Sequence, residues 1–179
     1  MERTKGITGA RGVAGCVLVP KIAGAAALAG KSLDEIVSLV DEVNSQIGTL
    51  GIAMNSVTIP GSETVNDRLD DKTIEIGLGI HGEAGLKQSP MLTANEMAKE
   101  MIDTIRTYGR TVAGDGDDEK VVPLFEKGDN LCVLVNNLGG TSNFEMSILT
   151  NACVKYLESK IFGCKVTRLL VGSYMTSFD

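Results

Sequence analysis

Three segments of this chain share one pattern: a hydroxyl residue, then glutamate three positions later, ahead of apolar residues at helical spacing. They are Ser32-Leu-Asp-Glu35, Thr93-Ala-Asn-Glu96 and Ser142-Asn-Phe-Glu145. In such a capping box the hydroxyl accepts a hydrogen bond from the glutamate N–H. The glutamate carboxylate turns back to accept from the N–H of the first residue, so the exposed donors of a helix start are satisfied locally. The pattern therefore predicts where three helices begin. After Ser32, the residues Ile36, Leu39, Val40, Val43 and Ile47 recur on one helical face, and Gly48 suits the stop. The second helix is predicted to reach about Tyr108 and the third about Lys160. A further helix, rich in small residues and tightly packed, is expected after Pro20, with Gly30 as its stop. Proline should end or kink any helix that starts before it. This helix and the one after Ser32 are expected to pack together on a sheet.

The segments between the helices read as strands. Ile52 to Ile59 leads into a Pro60-Gly61 turn, and Thr73 to Ile80 alternates as a half-buried strand should. Leu131-Cys-Val-Leu-Val135 is a continuous apolar run, as expected of a strand buried on both faces, and Lys165 to Val171 is the next strand. Residues 82–90 and 111–120 read as loops, the second acidic. Strands interleave with helices after residue 130, which predicts an α/β fold: a mixed sheet with helices packed on it. The expected organisation is one domain over residues 1–179, without internal repeats.

Composition narrows the function classes. The net charge of -6 disfavours phosphate backbones and anionic lipid, so neither nucleic acid nor membrane is an expected partner. The chain has no Trp, three Tyr and four Phe, too few for platforms that stack bases. No apolar run approaches the ~20 residues of a membrane span. Met1-Glu-Arg-Thr-Lys is not followed by the apolar region of a secretory signal. Cys16, Cys132, Cys153 and Cys164 form no Cys-x-x-Cys pair and read as buried, reduced thiols. A cytoplasmic setting follows, and a metal site is not expected, since one histidine is too few for the common Cys/His sets.

That histidine is the leading candidate for chemistry. His81 stands in Gly79-Ile-His-Gly-Glu-Ala-Gly85, where the predicted strand runs out among glycines. Neutral imidazole is a nucleophile near pH 7 and can also pass protons. Glu83 could orient it, accept a proton or simply be solvated. A second candidate loop is Asn136-Asn-Leu-Gly-Gly-Thr-Ser142, which opens a helix. Its backbone N–H groups could meet an anion, or the segment could be only a tight strand-to-helix turn. The chain lacks GxxxxGK[ST], and no GxGxxG follows the first strand, so neither common nucleotide-binding signature is present. The acidic run Asp115 to Glu119 lacks EF-hand spacing and reads as a solvated loop.

These segments also carry a resemblance. Gly77-Leu-Gly-Ile-His-Gly-Glu-Ala-Gly85 resembles the G-x-G-I-H-x-E-P-G motif of dihydroxyacetone (glycerone) kinases. Val135-Asn-Asn-Leu-Gly-Gly-Thr-Ser-Asn-Phe-Glu-Met146, Gly12-Val-Ala-Gly-Cys-Val-Leu-Val-Pro-Lys-Ile-Ala-Gly24 and Gly172-Ser-Tyr-Met-Thr-Ser177 are similar to three more motifs of that family, in the same order. The resemblance implies an enzyme of glycerol metabolism, a phosphotransferase that makes dihydroxyacetone phosphate. Within it, this chain would be the second subdomain, the C-terminal half of the substrate-binding K domain. His81 would bond to the ketone carbon as a hemiaminal. ATP and Mg²⁺ would sit on a separate nucleotide-binding L domain or subunit, a phosphoprotein relay would replace ATP in some members, and the full-length protein would be a homodimer. The family's N-terminal half has no counterpart here, so the fragment alone is expected to be inactive as a kinase. Ala84 stands where the family has proline and should loosen the loop. Two alternatives remain open at this point: a non-catalytic ketose-sensing or regulatory module of the same fold, and a relative that also cleaves FAD to a cyclic FMN.

Overall fold

The computed structural model describes residues 13–54, 61, 72–79, 85–108, 111–113 and 119–176. A 3-10 turn, Ala14–Val17, runs into helix α1, Leu18–Leu28, and α2 follows over Leu33–Gln46. Strand β1, Ile52–Ala53, β2, Thr73–Ile76, and β3, Lys87–Pro90, form one antiparallel sheet with β2 central. Helix α3 spans Ala94–Thr107. Strands β4, Thr111–Ala113, and β5, Glu119–Val121, pair as an antiparallel ribbon. Strand β6, Asn130–Asn136, helix α4, Asn143–Leu157, and strand β7, Lys165–Gly172, form a parallel β-α-β unit. The fold is α/β, with antiparallel and parallel pairing divided among three small sheets within the described residues.

All three capping boxes form. The N–H groups of Ser32, Thr93 and Ser142 donate to Glu35, Glu96 and Glu145 at 2.8, 2.9 and 2.9 Å. The reciprocal bonds to the hydroxyls are 3.4, 3.3 and 3.3 Å. Each hydroxyl also donates to the same carboxylate, at 2.9, 2.7 and 2.7 Å. The bonds received by the carboxylates hold all three below the usual glutamate range, through the backbone N–H foremost at Glu35 and the hydroxyl foremost at Glu96 and Glu145. A pKa depressed in the folded state gives stability that is present above the unfolded value, about 4.3 for glutamate, and is lost as pH falls through the folded values. The melting temperature should therefore fall on the acid side of about pH 4.3. A triple variant, Glu35→Gln, Glu96→Gln and Glu145→Gln, should show a flatter acid limb in melts between pH 3 and 6. An acid limb as steep as that of the parent would refute the link.

The core lies where α3, α4 and the segments around them meet. Ala98 and Ile102 of α3 pack with Phe125, Phe162, Cys164 and the α4 residues Ala152, Cys153 and Leu157. Leu131, Val133 and Val166 bring in the parallel strands. Phe162 stands edge-on to Phe125 at 5.4 Å and to Tyr156 at 5.3 Å. The Arg106 guanidinium covers both Phe125 and Phe162, at 5.7 and 5.5 Å, and its Nε donates to the Phe125 carbonyl at 3.1 Å. Gly48 ties the helical hairpin to this core. A Cβ there would fall 2.7 Å from the Ile105 Cγ2 methyl and 2.5 Å from the Leu124 Cδ2 methyl, so a larger residue would require both side chains to shift.

Several sequence expectations are corrected. Pro20 does not break its helix: it is the third residue of α1, within the first turn, where the missing N–H has no intrahelical partner to lose. Helix α1 is not tightly buried. Only Ala26 is inside, Leu28 is 92% exposed, and α1 packs chiefly on α2 rather than on a sheet. The described part of the expected 52–59 strand is two residues long, with 55–60 outside the described residues. Lys87–Pro90 is a strand, not a loop, paired throughout with β2. It was hidden because an exposed edge strand needs no apolar alternation, and its proline stands at the end. Thr111–Ala113 and Glu119–Val121 likewise pair as strands within the expected acidic loop. Helix α4 ends at Leu157, ahead of Lys160. Strand β6 is not buried on both faces: Cys132 is exposed, and Leu169 and Val171 of β7 are open on the neighbouring strand. Of the cysteines, Cys153 and Cys164 are buried as expected, whereas Cys16 and Cys132 are exposed.

Candidate functional site

His81 itself lies outside the described residues, as do Ile80 and residues 82–84, Glu83 among them. The described residues on either side show how the segment is framed. Chain leaves β2 at Gly77, whose φ of +80° belongs to the left-handed region that glycine favours. The Gly77 N–H donates to the Gly51 carbonyl at 2.7 Å, which anchors the exit to the chain before β1. Chain returns at Gly85 and Leu86, where the Leu86 N–H donates to the Ile76 carbonyl at 2.7 Å. The Gly85 N–H donates to the Glu75 carboxylate at 2.5 Å. The two ends of the His81 segment are thus fastened to the last residues of β2 and to the chain before β1.

Glu75 was not singled out by the sequence. The alternation of Thr73 to Ile80 suggested a strand with one wet face, yet Glu75 is only 5% exposed, like Ile74 and Ile76 on the opposite face. The available signal was a charge in the middle of an apolar stretch that ends in a glycine-flanked histidine.

The second candidate loop is a capped turn. The Asn137 side chain accepts from the N–H groups of Gly139 at 2.9 Å and Thr141 at 3.3 Å, and donates to the Thr141 carbonyl. The capping box uses the N–H groups of Ser142 and Glu145. These four donors already serve the protein's own oxygens. The neighbouring Asn136 does a different job. Its side-chain oxygen accepts from the N–H groups of Tyr174 and Met175, both at 2.8 Å, and its amide donates to the Met175 carbonyl at 2.6 Å. The Thr176 hydroxyl donates to the Leu138 carbonyl at 3.0 Å. Two segments that the sequence offered separately, 136–142 and 172–176, are thereby sewn together at the carboxyl ends of the parallel strands, the end where open α/β sheets place ligands. Among the described residues, no cluster of three His, Cys, Asp or Glu side chains could hold a metal ion, and no helix is long and apolar enough to cross a membrane.

A model described as the Dak1 domain matches residues 1–179, the whole chain. The chain belongs to the Dak1 domain family. A human relative of this Dak1 chain, triokinase/FMN cyclase from Homo sapiens, is 39% identical over 96% of it, and the match covers 28% of that protein. The dihydroxyacetone-binding subunit DhaK of a PTS-dependent dihydroxyacetone kinase from Listeria innocua is 39% identical over 96% of the chain, and the match covers 47% of that subunit. The Dak1 chain thus spans about half of the one relative and under a third of the other. Among solved structures, a dihydroxyacetone kinase operon co-activator, Dha-DhaQ, superimposes with a TM-score of 0.73 at 28% identity, over 94% of this chain and 47% of its own. The dihydroxyacetone kinase of C. freundii, crystallised with AMP-PNP and Mg²⁺, gives 0.62 at 26% identity, over 89% of this chain and 27% of its own. The family, and the α/β architecture expected for it, are therefore shown.

Proposed function

We propose that this Dak1 chain is the dihydroxyacetone-binding part of a dihydroxyacetone kinase, with His81 as the residue that captures the ketone. The observation that carries the reading is the match of nearly the whole chain to a protein named as a dihydroxyacetone-binding subunit. In the proposed step an imidazole nitrogen of His81 attacks the carbonyl carbon and a C–N bond forms. The C=O π pair moves to oxygen, which takes a proton, while the other imidazole nitrogen gives one up. The product is a neutral hemiaminal. A ketone can be held this way and glycerol cannot, so the bond selects by oxidation state. It also fixes a terminal hydroxyl for phosphoryl transfer, where positioning supplies most of the catalysis.

ATP and Mg²⁺ belong in this reading to a separate nucleotide-binding L domain or subunit. The reading is supported by the C. freundii enzyme, which was crystallised with AMP-PNP and Mg²⁺ and of which this chain covers 27%. It is supported as well by the spent N–H groups of the 137–142 turn. As a single domain corresponding to half of the K part, residues 1–179 are expected to be inactive on their own, and the full-length protein to be a cytoplasmic homodimer. Four free thiols suit the cytoplasm. The test is a direct one. Full-length protein, with its nucleotide-binding part, is assayed for phosphate transfer to dihydroxyacetone with ATP and Mg²⁺ and, separately, with a phosphoprotein donor. Transfer by the full-length protein with either donor and none by residues 1–179 is expected. No transfer with either donor would refute the kinase reading, and transfer by residues 1–179 alone would refute the dependence on the missing parts.

One finding favours a second reading. The operon co-activator superimposes at a TM-score of 0.73, against 0.62 for the kinase, which supports a regulatory module of the same fold as the second reading, with ketose sensing as its proposed role. Ketone binding without phosphate transfer would select it.

A further inference from the structure

We infer that Glu75 is a positioning residue for ketone capture, acting through the Gly85 N–H to hold the chain four residues beyond His81. The inference rests on the proposed role of His81 and extends it to a residue outside the loop.

The position of Glu75 is a costly one for a carboxylate. Its strand is paired on both sides, with Ala53 on β1 and Gln88 on β3, and the side chain is almost wholly removed from water. Burying a charge is unfavourable unless strong hydrogen bonds replace its hydration. A strand that needed only to pack would carry an apolar residue there, as it does at Ile74 and Ile76. The carboxylate instead receives the Gly85 N–H at 2.5 Å, a short, charge-assisted bond. Gly85 follows His81 by four residues, so the bond holds the chain at a fixed point shortly after the histidine.

The fit around Gly85 leaves no slack. A Cβ at this position would lie 2.5 Å from the Ile76 carbonyl oxygen and 2.8 Å from Cγ of Glu75. At the other end, a Cβ on Gly77 would lie 2.7 Å from Cγ of Leu86. The two ends of the segment are therefore pressed together, and His81 stands midway between them in sequence. Such an arrangement fixes the two end points between which the histidine is held. Capture of a carbonyl needs the nitrogen within bonding reach along one direction, and a displacement of ~1 Å at such a centre can cost roughly 100-fold.

The test uses full-length kinase and the variants Glu75→Ala, Glu75→Gln and Gly85→Ala. Two quantities are read on the folded fraction: the yield of ketone adduct by intact mass at a fixed dihydroxyacetone concentration, and KM against kcat. Glu75→Ala removes the acceptor and should raise KM for dihydroxyacetone roughly 100-fold, with a matching fall in adduct. Glu75→Gln keeps an oxygen that can accept from the Gly85 N–H and should stay within about threefold of the parent, since one acceptor suffices for that bond. A merely structural role would reduce the amount of active enzyme, and so kcat, at unchanged KM. Parental KM in Glu75→Ala overturns the inference, and so does a glutamine variant as impaired as the alanine one. If Glu75→Ala does not fold, Gly85→Ala breaks the same contact from the other side, and a parental KM there overturns the inference equally. Adduct that survives His81→Ala would sink the functional reading instead, whereas adduct that depends on His81 yet is indifferent to Glu75 would sink this inference alone.

Discussion

Replacing His81 by alanine is expected to abolish the covalent ketone adduct and to lower dihydroxyacetone phosphorylation by the full-length protein by several orders of magnitude. The size follows from what the bond would do. Covalent capture turns a bimolecular encounter into a unimolecular step, and well-oriented systems of that kind gain about 7–11 kcal/mol. Losing even a third of that gain, roughly 3 kcal/mol, is a factor of more than 100 in rate. The measurement is twofold: intact mass after exposure to dihydroxyacetone, and phosphate transfer at saturating nucleotide. Because the role is nucleophilic, His81→Gln should fail as completely as His81→Ala, although its amide can still form hydrogen bonds. A glutamine variant with appreciable adduct would show that another residue holds the ketone. Glycerol should leave no adduct on the parent, since it has no carbonyl to attack.

The largest expected effect on stability comes from Phe162. Truncation to alanine should cost about 3–5 kcal/mol, the usual range for a buried phenylalanine. Three observations place it there. Phe162 is buried within the main core, it stands edge-on to both Phe125 and Tyr156, and its ring lies under the Arg106 guanidinium. The truncation therefore opens a cavity and removes two aromatic pairs and a cation–π contact together. For a chain of this size the melting temperature should fall by roughly 6–20 °C, at about 2–4 °C per kcal/mol. Leu28→Ala is the control: at 92% exposure it should stay within about 0.5 kcal/mol of the parent. Chemical denaturation checks both, and a Phe162→Ala change below about 1 kcal/mol would mean that the core lies elsewhere.

What the sequence made legible was local. Each capping box spells out a hydrogen-bond exchange within four residues, and all three helix starts were found where the spacing put them. The β-α-β unit was readable for a similar reason, as an apolar run, a turn, a capped helix and a second strand in succession. Contacts set by distant partners were not readable. Lys87–Pro90 is a strand because β2 lies beside it, not because Lys-Gln-Ser-Pro favours extension. Glu75 looked like a residue for a wet face, yet it is buried and receives the N–H of Gly85, ten positions away. Asn136 and Asn137 were read as one glycine-rich turn. Only the fold separates them, giving one to the turn and the other to the 172–176 segment. The histidine motif was visible in sequence, but the residues that frame it belong to the strand before and the chain after.

The unequal surroundings of the cysteines have a practical use. Burial pushes the Cys153 thiol up to about 11, so at neutral pH it stays protonated and slow toward electrophiles, and Cys164 is enclosed in the same core. Cys132, by contrast, faces outward from β6, beside Arg168, its register partner on β7. A thiol-reactive dye placed at Cys132 would therefore act as an optical gauge of that side of the strand pair. Its labelling rate and emission would register when a neighbouring domain or subunit comes down on the sheet, without any change to the residues proposed to hold the ketone.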